Sequence, residues 1–256
     1  MNRILELFSR KEKRVIPFIT AGYPNINSTV DLVFAAENAG ASMIEIGMPF
    51  SDPQADGPII QYANEVALRN GISIKEIFNQ VKHIRLKSNI PIALMGYYNP
   101  ILKMGTQKFT ENCVDSGVDG LILPDLPFDE AGPFCKILKQ NNICPILLVA
   151  PNTSNKRILK ISKLADGLIY AVSILGITGD TVNDKTYLKK YLKRIRKHSS
   201  SPFIVGFGIK SNDDVIWFNK YSDGAVVGSA IIKELKTSKN PKNTIKLLIE
   251  NLRREK

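Results

Sequence analysis

The chain is poor in the residues that most often mark a metal or redox centre. Its 256 residues include only two histidines, His83 and His198, and three cysteines, Cys113, Cys135 and Cys144. Neither histidine stands in a His-Glu-x-x-His or comparable ligand spacing, and each is expected on a helix surface. An odd number of cysteines without Cys-x-x-Cys spacing argues against both a disulfide framework and a zinc knuckle. Acid–base chemistry therefore falls to carboxylates, tyrosines or lysines. No apolar run approaches the roughly 20 residues that a membrane-spanning helix needs. The opening MNRILELFSRKEKR lacks the apolar core of a secretory signal, and its Glu6 and Glu12 are out of place in a transit peptide. A soluble intracellular protein is expected, not secreted: cytoplasmic, or in the plastid stroma if organelle-encoded.

What the chain does contain is ordinary for a globular protein: 44% hydrophobic and 23% charged residues, enough apolar material to exclude disorder. The net charge of +11 invites a nucleic-acid reading. The densest basic run, KTYLKKYLKRIRKH, turns that reading aside. Its Leu188, Tyr191, Leu192 and Ile195 recur at helical spacing, so the lysines and arginines form the solvated outer face of an amphipathic helix.

Short apolar runs rich in Val, Ile and Leu recur from end to end. They are VIPFIT from Val15, MIEIGM from Met43, PIALMGY from Pro91 and DGLILPD from Asp119. CPILLVA from Cys144, GLIYAVS from Gly167, PFIVGFGI from Pro202 and DGAVVGSAI from Asp223 complete the set. Near-continuous apolarity marks strands buried on both faces, as in a parallel sheet. Stretches such as STVDLVFAAENAG and the region around ISKLADG read as the intervening helices. Eight strands with crossovers in about 250 residues have the rhythm of a single (β/α)8 TIM barrel. No low-complexity linker divides residues 1–256, so one domain is expected. An extra N-terminal helix carries Ile4, Leu5 and Phe8 and would plug the bottom of the barrel. Extra helical segments are expected after strands 2 and 8, the second running from Asn243 to Leu252.

In a barrel of this kind the strand C-termini and the loops after them build the site. Polar residues there are Glu45, Tyr97, Tyr98, Asn99, Asp125, Asn152, Tyr170 and Ser173, with Gly206 and Gly208 ending strand 7. Glu45 is an acid among apolar neighbours, and desolvation would raise its pKa toward the range useful for proton transfer. A buried structural acid, paired with an arginine or backbone amides, is the equal alternative. Asp52 and Asp56 lie on the Pro/Gly-rich loop that follows. Asp52 reads as a loop brace, and Asp56-Gly57-Pro58 reads as a turn on propensity alone. Three glycine-bearing loops, GITGDT, GFGIK and GSAI, follow strands 6, 7 and 8. With a helix opening at Ser229, they could bring backbone N–H groups to an anion, or serve as tight turns only.

EIGMPFSDPQADGPIIQ closely resembles the signature of the tryptophan synthase alpha chain family. PFITAGYP, MGYYNPI, LILPDLPFDE, YAVSILGITGD, VGFGIK and VGSAIIK follow in that family's order and approximate spacing, so the likeness covers essentially the whole chain. The long signature is highly specific, the others weak alone. The resemblance implies a lyase that cleaves indole-3-glycerol phosphate by retro-aldol chemistry to indole and glyceraldehyde 3-phosphate, with no cofactor or metal. The family's catalytic pair falls on Glu45 and Asp56. Its pocket positions fall on Phe18, Thr20, Tyr97 and Tyr170, and its phosphate-binding positions on Gly179, Phe207, Gly208, Gly228 and Ser229. The implied partner is a beta chain carrying pyridoxal phosphate, in an alpha2-beta2 tetramer, contacted by the loop from Pro49 to Pro58. That loop is expected to carry Asp56 into the site on closure. The chain departs from the pattern at Ile174-Leu175, where many relatives carry polar or small residues in a mobile lid; lid closure and signalling to the beta chain stay open at that point.

Other readings remain at this stage. Another phosphate-binding barrel would want a lysine–glutamate pair on strand ends, and none is found in the right places. A non-catalytic regulatory subunit would have been free to lose Glu45 or Asp56.

Overall fold

A computed structural model describes residues 2–10, 12–173, 185–206 and 208–254. Its eight strands are β1 (Val15–Thr20), β2 (Ile44–Gly47), β3 (Ile92–Met95), β4 (Gly120–Ile122), β5 (Cys144–Val149), β6 (Ile169–Val172), β7 (Phe203–Gly206) and β8 (Gly224–Val227). They pair in sequence order, all parallel, and β1 closes the ring on β8, with Val15, Ile16 and Pro17 opposite Ala225, Val226 and Val227. Every residue of seven strands is buried or nearly so, because one face fills the barrel and the other meets the helices. That double burial is why these segments read as continuous apolar runs. Each strand lies within its expected run: β1 fills its run, and the others stop short of it at one end or both.

Helices stand where the sequence places them after β2 (Pro58–Arg69 and Ile74–Arg85) and after β8 (Ser229–Thr237 and Pro241–Arg253). Local chemistry sets their starts. Pro58 opens its helix, where a missing N–H costs nothing. Ser73 accepts from the Glu76 amide, a side-chain cap for the next helix. One helix was not expected: Tyr98–Met104, directly after β3, separated by Gly105 from Thr106–Ser116. Asp125 makes it possible, since both its carboxylate oxygens accept from the Tyr98 amide at 3.0 Å. The helix Lys185–His198 buries Leu188, Tyr191, Leu192 and Ile195 as the periodicity requires.

The N-terminal helix, Arg3–Phe8, closes the end of the barrel opposite the strand C-termini. Ile4 is fully buried and its Cδ1 packs over Gly120. Leu5, by contrast, is 39% exposed, so the apolar stripe plugs the barrel mainly through Ile4. Polar contacts hold the plug: the Asn2 side chain donates to the carbonyls of Asp119 and Asn142 at 2.7 Å each, and Arg3 pairs with Asp119 at 2.8 Å. No helix among the described residues is long and apolar enough to cross a membrane.

Candidate active site

Glu45 lies inside β2, within the apolar run, and not beyond the strand's end. Side chains alternate along a strand, so Ile44 and Ile46 face the helices while Glu45 faces the barrel interior with its register neighbour Phe18. It is 1% exposed, and neither carboxylate oxygen finds a hydrogen-bond donor among the described residues. Burial, and then the charge of Asp56, push its pKa up to about 8. The structural alternative, a buried acid paired with an arginine or amides, finds no support in that geometry.

Asp56 reaches the same space from the loop after β2. Although it sits on a loop, it is only 9% exposed. Its carboxylate accepts from Asn64 Nδ2 at 3.2 Å and from the Tyr97 hydroxyl, which itself accepts from the Ala55 amide at 3.0 Å. Its backbone is tied as well, by Gln61 Nε2 on its carbonyl at 2.8 Å and by its own amide on the Pro53 carbonyl at 3.2 Å. Burial raises its pKa to about 6, against the lowering effect of the Tyr97 and Asn64 hydrogen bonds. These contacts hold Asp56 in the pocket. Asp52 is exposed and, among the described residues, accepts only from the hydroxyl of its neighbour Ser51.

The two acids share one cavity of about 40 Å³, with Phe18, Ile60, Met95, Ile209 and Val226 as its apolar wall and Tyr170, Gly208, Gly228 and Ser229 completing it. Tyr170 is buried in β6, its phenol pushed well up by burial and by the charges of Glu45 and Asp56. Gly208 has φ +76°, a backbone conformation that favours glycine. Gly228 precedes the helix Ser229–Thr237, whose first intrahelical bond runs from the Ile232 amide to the Gly228 carbonyl. The amides of Ser229, Ala230 and Ile231 belong to that first turn, where N–H groups have no place in the helical ladder and can meet an anion.

Seven of the expected site residues thus line one cavity: Glu45, Asp56, Phe18, Tyr170, Gly208, Gly228 and Ser229. Tyr97 stands behind Asp56. Thr20 is buried beside Gly47 without lining the cavity, and its hydroxyl lacks a partner among the described residues. Gly179 and Phe207 fall outside the described residues, as do Ile174 and Leu175. Of the strand-end polar residues, Asn99 and Asn152 are exposed, Asp125 caps a helix, and Ser173 donates to the Gly206 carbonyl at 2.8 Å. At Gly206 the ring of Tyr170 lies against the backbone, where a side chain would meet it. Sequence reading missed Asn64 and the wall of Ile60, Met95, Ile209 and Val226. A signal for the first existed: Ile60 and Asn64 are four residues apart on one helix, so both share the inward face.

Among the described residues no three His, Cys, Asp or Glu side chains gather as a metal site. The arrangement is one for proton transfer, with one dry acid, one hydrogen-bonded carboxylate and an apolar slot between them.

The family model described as tryptophan synthase alpha chain matches residues 5–256. The tryptophan synthase alpha chain of Petrotoga mobilis is 44% identical over 245 residues, 96% of this chain and 95% of that protein. The crystal structure of tryptophan synthase subunit alpha from Legionella pneumophila str. Paris matches with a TM-score of 0.91 at 34% identity, covering 99% of this chain and 97% of that one. A chain from the structure of the tryptophan synthase a2b2 complex of Pyrococcus furiosus matches with a TM-score of 0.88 at 36% identity, covering 94% and 98% respectively.

Proposed function

The chain belongs to the tryptophan synthase alpha chain family, and from that premise we propose that Glu45 and Asp56 carry out the retro-aldol cleavage of indole-3-glycerol phosphate to indole and glyceraldehyde 3-phosphate. The observation that carries this reading is the contrast between the two carboxyl groups. Glu45 is dry and without a donor, which favours its protonated form at neutral pH; Asp56 accepts two hydrogen bonds, which favours its anion.

The chemistry follows from that contrast. Glu45 gives its proton to indole C3, and the ring becomes a cation with its charge at the nitrogen. Asp56 accepts the ring N–H and stabilises that cation. The C–C bond then breaks, its electron pair restoring the aromatic ring, while the glycerol hydroxyl becomes an aldehyde and returns a proton to Glu45. One proton is added and one removed, so the carboxyl ends as it began. Phe18, Ile60 and Met95 provide the apolar slot that suits an indole. Gly208, Gly228 and Ser229 are suited to the phosphate, and Gly179 and Phe207 are assigned there by resemblance alone. Tyr170 completes the pocket, and Thr20 is assigned to it by resemblance alone.

The loop that carries Asp56 is the segment that closes over the substrate, bringing Asp56 against the indole N–H. The same loop, from Phe50 to Gln54, walls an outer groove with Tyr62 and Leu68, and this is the face we assign to the beta chain. The assembly is an alpha2-beta2 tetramer, as in the Pyrococcus furiosus complex. Indole passes to the beta chain, whose pyridoxal phosphate makes L-tryptophan; the alpha reaction needs no cofactor of its own. The residues 1–256 act as one domain, in the cytoplasm or a plastid stroma.

The test is indole release from indole-3-glycerol phosphate, with and without a beta chain, by the wild type, Glu45→Gln and Asp56→Asn. Loss of the proton carrier should cost about 10²–10⁴-fold in kcat. Loss of the charge at Asp56 should cost less. No indole under either condition, or near-normal turnover by Glu45→Gln, would overturn the assignment.

A further inference from the structure

Two carboxyl groups in one dry pocket cannot both be ionised cheaply, so something must select which of them holds the charge. The hydrogen-bond donors in the pocket are divided unevenly. Among the described residues Glu45 has none on either oxygen. Asp56 has two, and they come from different elements: Asn64 from the second turn of the helix Pro58–Arg69, and Tyr97 from the end of β3. Asn64 is 4% exposed and its side-chain amide is directed at Asp56 Oδ2. An amide donor to a buried carboxylate stabilises the anion and does nothing comparable for the neutral acid.

We infer that Asn64, with Tyr97, selects Asp56 as the anion of the pair and thereby leaves the proton on Glu45. Asn64 is a positioning residue: it touches Asp56 and no reacting atom. The inference rests on the proposed roles of the two acids and extends them to the group that assigns those roles. The two donors differ in what they demand. Tyr97 is itself a weak acid held neutral by burial and by the neighbouring charge of Asp56, so it donates at every pH at which the enzyme works. Asn64 does not titrate at all. The selection is therefore built into uncharged groups and does not itself vary with pH. Among the described residues, the titratable groups facing Asp56 are Glu45 from β2, Tyr97 from the end of β3 and Tyr170 from β6, with Asp125 behind Tyr97.

The experiment is the pH profile of kcat/KM for indole release by the wild type, Asn64→Leu, Tyr97→Phe and the double variant. Leucine keeps the volume of asparagine and removes the donor. The acid limb, which reports Asp56, should move up by roughly one pH unit in each single variant and further in the double. The bell then narrows and its maximum falls, while the basic limb stays or moves less. Where Asn64→Leu does not fold, Asn64→Ser serves, and ¹³C titration of the Asp56 carboxyl without substrate reads the same shift independently of turnover. An acid limb and a carboxyl titration both unmoved by loss of Asn64 would overturn the inference, whatever the loss in rate. Full activity of Asp56→Asn would instead overturn the roles on which it rests, so the two failures are distinguishable.

Discussion

The ring of Tyr170 lies directly on Gly206: a methyl group added at position 206 would overlap the phenolic oxygen and come within 2.6 Å of Cε1. Both residues are buried, one in β6 and the other at the end of β7, so neither can step aside into solvent. Gly206→Ala should therefore press the ring into the cavity it shares with Glu45 and Asp56. We expect a loss of about 1–3 kcal/mol in stability, typical of overpacking, and a larger loss in kcat/KM than in the urea midpoint alone would explain. Paired urea unfolding and indole-release assays check it; a variant of wild-type stability and activity would show that the ring yields.

The pH profile of the wild type has a sign that the two pKa values decide. Asp56 must be ionised, so kcat/KM should rise as pH passes about 6. Glu45 must be protonated, so it should fall as pH passes about 8. Because the groups interact, the two limbs belong to the pair. A profile still rising at pH 9.5 would remove Glu45 as proton donor.

Stability has its own pH dependence. The Glu45 carboxyl binds its proton more tightly in the folded chain, at about 8, than at its ordinary value of 4.5. Its contribution is complete below pH 4.5 and is lost as pH rises toward 8, a change on the order of a few kcal/mol. Glu45→Gln lacks the titrating group, so its stability relative to wild type should climb between pH 5 and 8.5. Urea midpoints of the two proteins across that range measure it, and parallel curves would mean that Glu45 is not held protonated.

At the opposite end of the barrel, Asp119 is buried and receives three donors: Arg3 at 2.8 Å, Arg85 at 2.7 Å and the Ile92 amide at 2.9 Å. It joins the N-terminal helix, the helix Ile74–Arg85 and the start of β3. Asp119→Ala should destabilise by about 3–5 kcal/mol, because it leaves the part-buried charge of Arg85 without its carboxylate, with the carbonyls of Gly117, Ser88 and Ile90 left to accept from it. Arg3→Ala should cost far less, since Arg3 is 36% exposed. Thermal unfolding of both variants ranks them; equal losses would show that the N-terminal helix is held through Arg3.

Strand and helix positions could be read from the chain because burial on both faces of a parallel strand leaves a continuous apolar run, and burial on one face of a helix leaves a stripe such as Leu188, Tyr191, Leu192 and Ile195. Tyr98–Met104 escaped because its start depends on Asp125, 27 residues away, and no local pattern records that bond.

For the site, the chain alone determined the acid inside an apolar strand, the loop carrying a second acid, and glycines at successive strand ends. Residue type read Asp52 as a loop brace and left Asp56 between binding and bracing, and it was the resemblance that singled out Asp56. The closed barrel shows where each side chain goes. It turned Asp56 onto Asn64 and Tyr97, left Asp52 in solvent, and set Glu45 opposite Phe18 with no donor in reach among the described residues. The physical reason is that a carboxylate's protonation depends on the water and donors around it, and those come from residues distant in sequence that only the folded barrel brings together.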